Sequence, residues 1–216
     1  MKQLSYKEIT NAYTKQISHE INQSNNTLRP FMMTIRFKHI PLSRSSNFKK
    51  YCFFSDATWS QYSKTYRFVL SQLDRHFDKR PHLHPRTYDF FDVDNTSKFI
   101  NASFTENTIP HIHSIYLIHE KTLPAFNNLI QTEFYKVKSH HSMCNYIQSI
   151  DARPILDNLP RAVAYCSKFY DNCYARAMIE DYELHRQLPL TKEEKEELAL
   201  QRESSNSMFS TKARAS

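Results

Sequence analysis

Glycine is missing altogether from the 216 residues. That absence excludes every phosphate-gripping loop that needs glycine to bring its backbone close to an anion, both the P-loop of nucleoside triphosphatases and the dinucleotide-binding turn. An ATP-driven helicase of the P-loop kind is therefore not on this chain. Turns must be built from Asn, Asp, Ser and Pro instead. Long hydrophobic runs are missing too: no apolar stretch approaches the length of about 18 residues that a membrane span needs. The segment Met1 to Asn26 is polar and lacks an apolar secretory core, so a cytoplasmic location is the default expectation. Cysteine is sparse. Cys52, Cys144, Cys166 and Cys173 form no C-x-x-C pair and read as small buried hydrophobes in a reducing compartment, not as disulfides or a zinc cluster.

What is present is basic and aromatic. Lys and Arg number 29 against 22 Asp and Glu, a formal charge of +7, with an isoelectric point near 9.2. Such an excess suits a polyanion such as nucleic acid, although a soluble protein that is merely basic has the same balance. Apolar residues make up 40% and aromatics 13%, enough for a core in which Phe and Tyr supply much of the volume. The length fits one domain with modest extensions.

Residues 1–28 read as a polar helical lead, with Leu4, Ile9, Tyr13, Ile17 and Ile21 at helical spacing and an Asn-rich stop from Asn22 to Asn26. Phe31 to Phe37 is a strand candidate. Residues 38–55 are basic and irregular, and Ser55 or Asp56 caps a helix running to about Phe77. A loop with Pro81 and Pro85 precedes a strand over Tyr88 to Val93. Phe99 to Phe104 and His111 to Ile118 read as the arms of an antiparallel hairpin. Thr122 caps a short helix through Ile130, and Phe134 to Val137 and Tyr146 to Ile150 are further strand candidates. Asn158 and Pro160 open a helix that extends to about Glu183. Residues 186–216 form a charged tail whose Ser-rich end, 204–216, is expected to be disordered. This order predicts an α+β domain over 29–185, a central antiparallel sheet with flanking helices.

Two patterns carry chemistry. In a strand, alternate side chains share a face, so His111 and His113 point the same way and Ile112 the other. Two imidazoles so placed can hold one divalent metal, or serve as ordinary hydrogen-bonded strand histidines. With 11 histidines the spacing is weak alone, and a second copy, His82-Leu83-His84, sits between two prolines where a central strand is unfavourable. The other pattern is Tyr165-Cys166-Ser167-Lys168. Arg161, Tyr165, Lys168 and Asn172 form one polar helical stripe, while Val163, Cys166, Tyr170 and Cys173 form a more apolar one. A nearby metal and ammonium can turn a tyrosine into a nucleophile; taken alone, the same residues also read as a core-edge Tyr and a solvated Lys.

Together and in this order the patterns resemble the HUH endonuclease superfamily, which includes rolling-circle replication initiators of small plasmids, single-stranded DNA viruses and phages. In that family a His-hydrophobic-His strand binds metal, a later helix carries Tyr-x-x-Lys, and an early apolar strand forms the first motif. Phe31 to Phe37, His111-Ile112-His113 and Tyr165 to Lys168 match these in turn, over roughly Arg29 to Asn172. The resemblance implies Mg2+ or Mn2+ on His111 and His113, with Tyr165 attacking the scissile phosphate. That attack forms a 5′-phosphotyrosine and frees a 3′-hydroxyl, while Lys168 orients the phosphate or stabilises charge. The family often adds an acid or amide from the neighbouring strand; Glu106 falls in the expected turn and Asn101 on the strand, and neither is assigned. Phe169 and Tyr170 do not supply a second tyrosine one turn away, so a single nucleophile is expected.

The implied partner is single-stranded or hairpin origin DNA, with Arg36, Lys38, Lys49, Lys50 and Arg161 as candidate contacts. A separate helicase is implied because the chain has no motor of its own. A transposase or relaxase would share the chemistry. A non-catalytic DNA-binding regulator would keep the basic surface but lose the metal ligands or the tyrosine, and a purely structural α+β protein would leave the charge unexplained.

Overall fold

Ser5 starts the first helix with a capping box: its hydroxyl accepts from the Glu8 N–H while the Glu8 carboxylate accepts from the Ser5 N–H. The computed structural model describes residues 5–38, 47–93, 109–133, 146–171 and 185–189. Helix α1 (Tyr6–Gln23) ends at a turn in which Asn25 and Asn26 take φ of 52° and 58°. In a chain without glycine, asparagine is the residue that best tolerates this left-handed backbone.

Strand β1 (Leu28–Phe37) follows, then α2 (Asn47–Leu73), β2 (Arg86–Val93), β3 (Pro110–His119), α3 (Leu123–Gln131), β4 (Ile147–Pro154), α4 (Leu159–Cys166) and β5 (His185–Leu188). The strands form one antiparallel sheet in the order β4-β1-β3-β2-β5. The protein is thus α+β, with helices on both faces of an antiparallel sheet. Because β3 is central and covered on both sides, nearly all of Pro110–His119 is buried, which explains its run of apolar residues at odd and even positions alike.

One face receives α2 and α3. Tyr62 and Tyr66 of α2 reach Tyr116, and Phe126 of α3 packs edge-on against Phe31 at 5.1 Å. The other face receives α1 and α4. Tyr13 packs edge-on against Phe90 at 5.1 Å, and Ile17 is fully buried. The expected helical lead therefore lies against the sheet, and Glu20 near its end accepts from the Tyr88 hydroxyl at 2.5 Å. Strand β5 straddles the expected boundary at residue 185 and pairs with β2.

Several expectations are corrected. The second helix begins at Asn47 and stops at Leu73, so the segment 47–55 is not irregular and Ser55 and Asp56 lie inside the helix, not at its cap. Once nucleated, a helix extends at little cost per residue, and this one takes in the segment from Asn47. Thr122 does not cap α3 with its side chain; its hydroxyl donates to the His119 carbonyl at 2.9 Å. The described partners of β3 are β1 and β2; the expected hairpin arm Phe99 to Phe104 lies outside the described residues, as do Phe134 to Val137 and the tail from 190. The late helix does not run unbroken to Glu183. It ends at Cys166 and passes into a 3-10 turn over Lys168–Asp171. Both the N–H and the hydroxyl of Ser167 bond the Val163 carbonyl, at 2.9 and 2.8 Å, which tightens the chain there. The tighter turn buries Phe169 against Phe91. Burial of a phenylalanine is worth about 2–3 kcal/mol, more than the few tenths by which helix propensities commonly differ, so tertiary packing decides the local geometry.

Candidate metal centre and its tyrosine

The register of β2 on β3 sets Asp92 directly opposite His111, and that of β1 on β3 sets Thr34 opposite His113. Directly opposed residues in an antiparallel pair share a face. Asp92, His111, His113 and Thr34 therefore lie together on the face that carries α1 and α4. Asp92 is wholly buried and His113 is 1% exposed. The Nε2 atoms of the two histidines are 3.1 Å apart, and each stands 3.2 Å from Asp92 Oδ2.

Asp92 is the residue that sequence reasoning missed. Glu106 and Asn101, the positions weighed for a third ligand, lie outside the described residues. A signal was present in Tyr88-Asp89-Phe90-Phe91-Asp92-Val93, an aromatic run interrupted by two acids. An acid in such a strand is too costly to bury unless something pairs with it.

Burial opposes ionisation of Asp92, but hydrogen bonds from His111 and His113 and their charge outweigh it and hold the carboxyl well below the usual range. Burial pushes His113 the other way, below the ordinary imidazole value, against the raising effect of Asp92, and so favours its neutral form. An ionised carboxylate and neutral imidazole are the states that bind metal. Thr34 Oγ1 lies 2.9 Å from His113 Nδ1. With Nδ1 donating to Thr34, a metal that displaced the proton Nε2 shares with Asp92 would find the ring held as a ligating histidine usually is.

These three side chains can hold a metal ion. The donor spacings support this on geometric grounds: cis ligands bonded at about 2.1 Å in an octahedron stand about 3.0 Å apart, close to the triangle of 3.1, 3.2 and 3.2 Å formed by the three atoms. Two imidazoles and one carboxylate suit a divalent first-row ion.

The 47%-exposed Tyr165 ring packs edge-on against His113 with centroids 4.9 Å apart. Asn158 caps α4 by accepting from the Arg161 N–H at 3.0 Å, with Pro160 in the first turn. Lys168, on the 3-10 turn, reaches back over Tyr165. Its ammonium lies 4.7 Å from the Tyr165 ring centroid and 3.1 Å from Asp92 Oδ2. The tyrosine, the lysine and both histidines thus meet at one place, although Lys168 gets there by a different helical geometry from the expected stripe.

The remaining candidates are more scattered. Arg36 is half-buried opposite His111 on the same face. Lys38 is exposed at the end of β1, and its N–H donates to the Tyr146 carbonyl at 2.8 Å. Arg161 is exposed on the first turn of α4. Lys49 and Lys50 fall in α2, but their side chains lie outside the described residues. His82 sits in a 3-10 turn, and His84 bonds the Phe77 carbonyl at 2.7 Å, so the second H-x-H is a loop feature. No described helix is long and apolar enough to cross a membrane.

No family model, curated protein or solved structure matches the chain.

Proposed function

We propose that this chain is a metal-dependent enzyme that nicks and rejoins single-stranded DNA through a tyrosine ester, in the manner of the HUH endonucleases it resembles. The observation that carries the reading is the convergence of Tyr165 and Lys168 on the Asp92–His111–His113 group. The same ligand set also serves iron oxygenases; an exposed phenol under an ammonium favours phosphoryl transfer instead.

A bound Mg2+ or Mn2+ would supply Lewis-acid charge for a phosphate oxygen. The chain's own residues do the rest. Asp92, His111 and His113 bind, and Thr34 orients His113. Tyr165 attacks phosphorus: its phenol oxygen forms the new P–O bond and gives up its proton. The strand's 3′ oxygen leaves with the electrons of the broken bond and takes up a proton. The products are a 5′-phosphotyrosine and a 3′-hydroxyl, and Lys168 offsets the negative charge that develops. Reversal reseals the strand without ATP, in keeping with a chain that has no P-loop. The finer reading is an initiator of rolling-circle replication for a small replicon, working with a separate helicase; a transposase or relaxase would use the same groups.

The test is incubation with a labelled single-stranded hairpin oligonucleotide library plus Mn2+. A covalent protein–DNA band is expected, absent in Tyr165→Phe and in excess chelator. No band with the wild-type protein, under conditions where Mn2+ binding is measured directly, rejects the reading.

A further inference from the structure

Beside Tyr165 lies an open cavity of about 480 Å3 between α4 and the β4 edge of the sheet. This is within the range of about 300–1,000 Å3 typical of small-molecule and cofactor sites. Its apolar lining includes Met32, Pro154 and Leu156, and Leu156 is 82% exposed. A lone exposed leucine needs no explanation, but this one shares a mouth with the half-exposed Tyr165 and with two arginines, Arg153 and Arg161. The polar groups are Asp151, Asn158 and Thr34. All three are partly engaged: Arg153 Nε donates to Asp151 Oδ2 at 2.9 Å, Asn158 Oδ1 caps α4, and Thr34 Oγ1 lies 2.9 Å from His113 Nδ1. Asp151 Oδ1 and the Asn158 amide N–H2 face no bond of this kind among the described residues.

Flat apolar walls, cations at the rim and a few hydrogen-bonding groups are what an unstacked base with its phosphates requires. We propose that this cavity seats one base of the single strand next to the scissile phosphate, and that Asp151 makes it select bases bearing an exocyclic amine. The inference rests on the phosphodiester reading of the adjoining metal centre. Leu156 lies against the face of the base and keeps it out of the stack, as apolar wedges do elsewhere. Arg153 and Arg161 meet the flanking phosphates. A carboxylate only accepts hydrogen bonds, so it pairs with the amine of cytosine, adenine or guanine; thymine offers no such amine.

The test measures anisotropy of labelled 12-mers of dA, dC and dT and an abasic 12-mer of equal phosphate count, with full-length protein and without added metal. Wild type is expected to bind dA and dC strands at least about fivefold tighter than the abasic strand, and tighter than dT. Leu156→Ser reduces the gain over the abasic strand. Asp151→Asn, whose amide also donates, removes the preference for dC over dT. Both side chains are exposed, so neither change threatens the fold. Equal binding of abasic and base-bearing strands, or unchanged base dependence in both variants, overturns the proposal. Base dependence that both variants lose, in a protein that forms no covalent adduct with Mn2+, upholds the pocket and rejects the nicking reading alone. An adduct without base dependence does the reverse.

Discussion

The Tyr6 hydroxyl donates to the carbonyl oxygen of Ala164, the residue immediately before Tyr165. The last carbonyls of a helix have no partner within it, and α4 is only eight residues long. A side chain from α1 therefore satisfies the backbone that carries the proposed nucleophile. Tyr6→Phe should cost about 1 kcal/mol in denaturant unfolding. It should slow single-turnover adduct formation severalfold while leaving Mn2+ affinity unchanged. A loss of Mn2+ affinity with no change in rate would contradict a positioning role.

Removal of a ligand should be visible without DNA. Asp92→Asn and His113→Ala are each expected to weaken Mn2+ binding by at least about tenfold, and Thr34→Val by less, measured by titration calorimetry. Wild type should gain melting temperature with added Mn2+, because a ligand that binds only the folded state stabilises it. Asp92→Asn should show little such gain.

Alkaline stability follows from the far side of the sheet. Burial raises Tyr62, Tyr66 and Tyr116 well above the ordinary value of 10, with the Asp89 charge adding to it. Their phenols stay protonated in the fold while those of the unfolded chain ionise near 10. Stability is therefore fully present below that pH and falls as pH rises through it. Tyr62 Oη donates to Asp89 Oδ1 at 2.5 Å, so Tyr62→Phe should cost about 1–3 kcal/mol at neutral pH. It should also make the decline above pH 10 shallower. Urea unfolding at a series of pH values checks both; a decline as steep as wild type would refute the assignment.

Strand binding should weaken steeply with salt, because a chain of net charge +7 releases counterions when it meets phosphates. For a single strand each lost phosphate contact lowers the slope of log K against log salt by about 0.7. Arg161→Ala should show that decrement, whereas a salt-independent affinity would argue against an electrostatic interface. Arg36, Lys38, Lys49 and Lys50 can be ranked in the same way.

The aromatic and apolar runs of Phe31–Phe37, Tyr88–Val93 and His111–Ile118 made β1, β2 and β3 legible in sequence, because strands buried in a sheet must be apolar along their length. Face-sharing of His111 and His113 followed from strand periodicity alone. Asp92 did not, since its pairing with His111 depends on a strand register that no local spacing reveals. The early stop of α4 was equally hidden: Tyr170 suited the apolar helical stripe, but the chain tightens at Ser167 and buries Phe169. The late-helix motif nevertheless brought Lys168 to Tyr165, because either helical geometry returns a residue three positions later to nearly the same side.

The β2–β3 pairing has a polar constraint on each face. Asp92 stands opposite His111 on one side of the sheet, while on the other Asp89 stands opposite Ser114 and takes bonds from Thr87 and Tyr62. A slip of one residue would turn every β3 side chain over. It would set Asp92 against an isoleucine or a proline and turn Ser114 away from the Tyr62 hydroxyl, leaving Asp92 buried without its imidazole partners at a penalty of several kcal/mol. The Asp92–His111–His113 group and the hydroxyl cluster thus act as opposed alignment pins, and a sheet that has found its native pairing has already assembled the place where its proposed chemistry would occur.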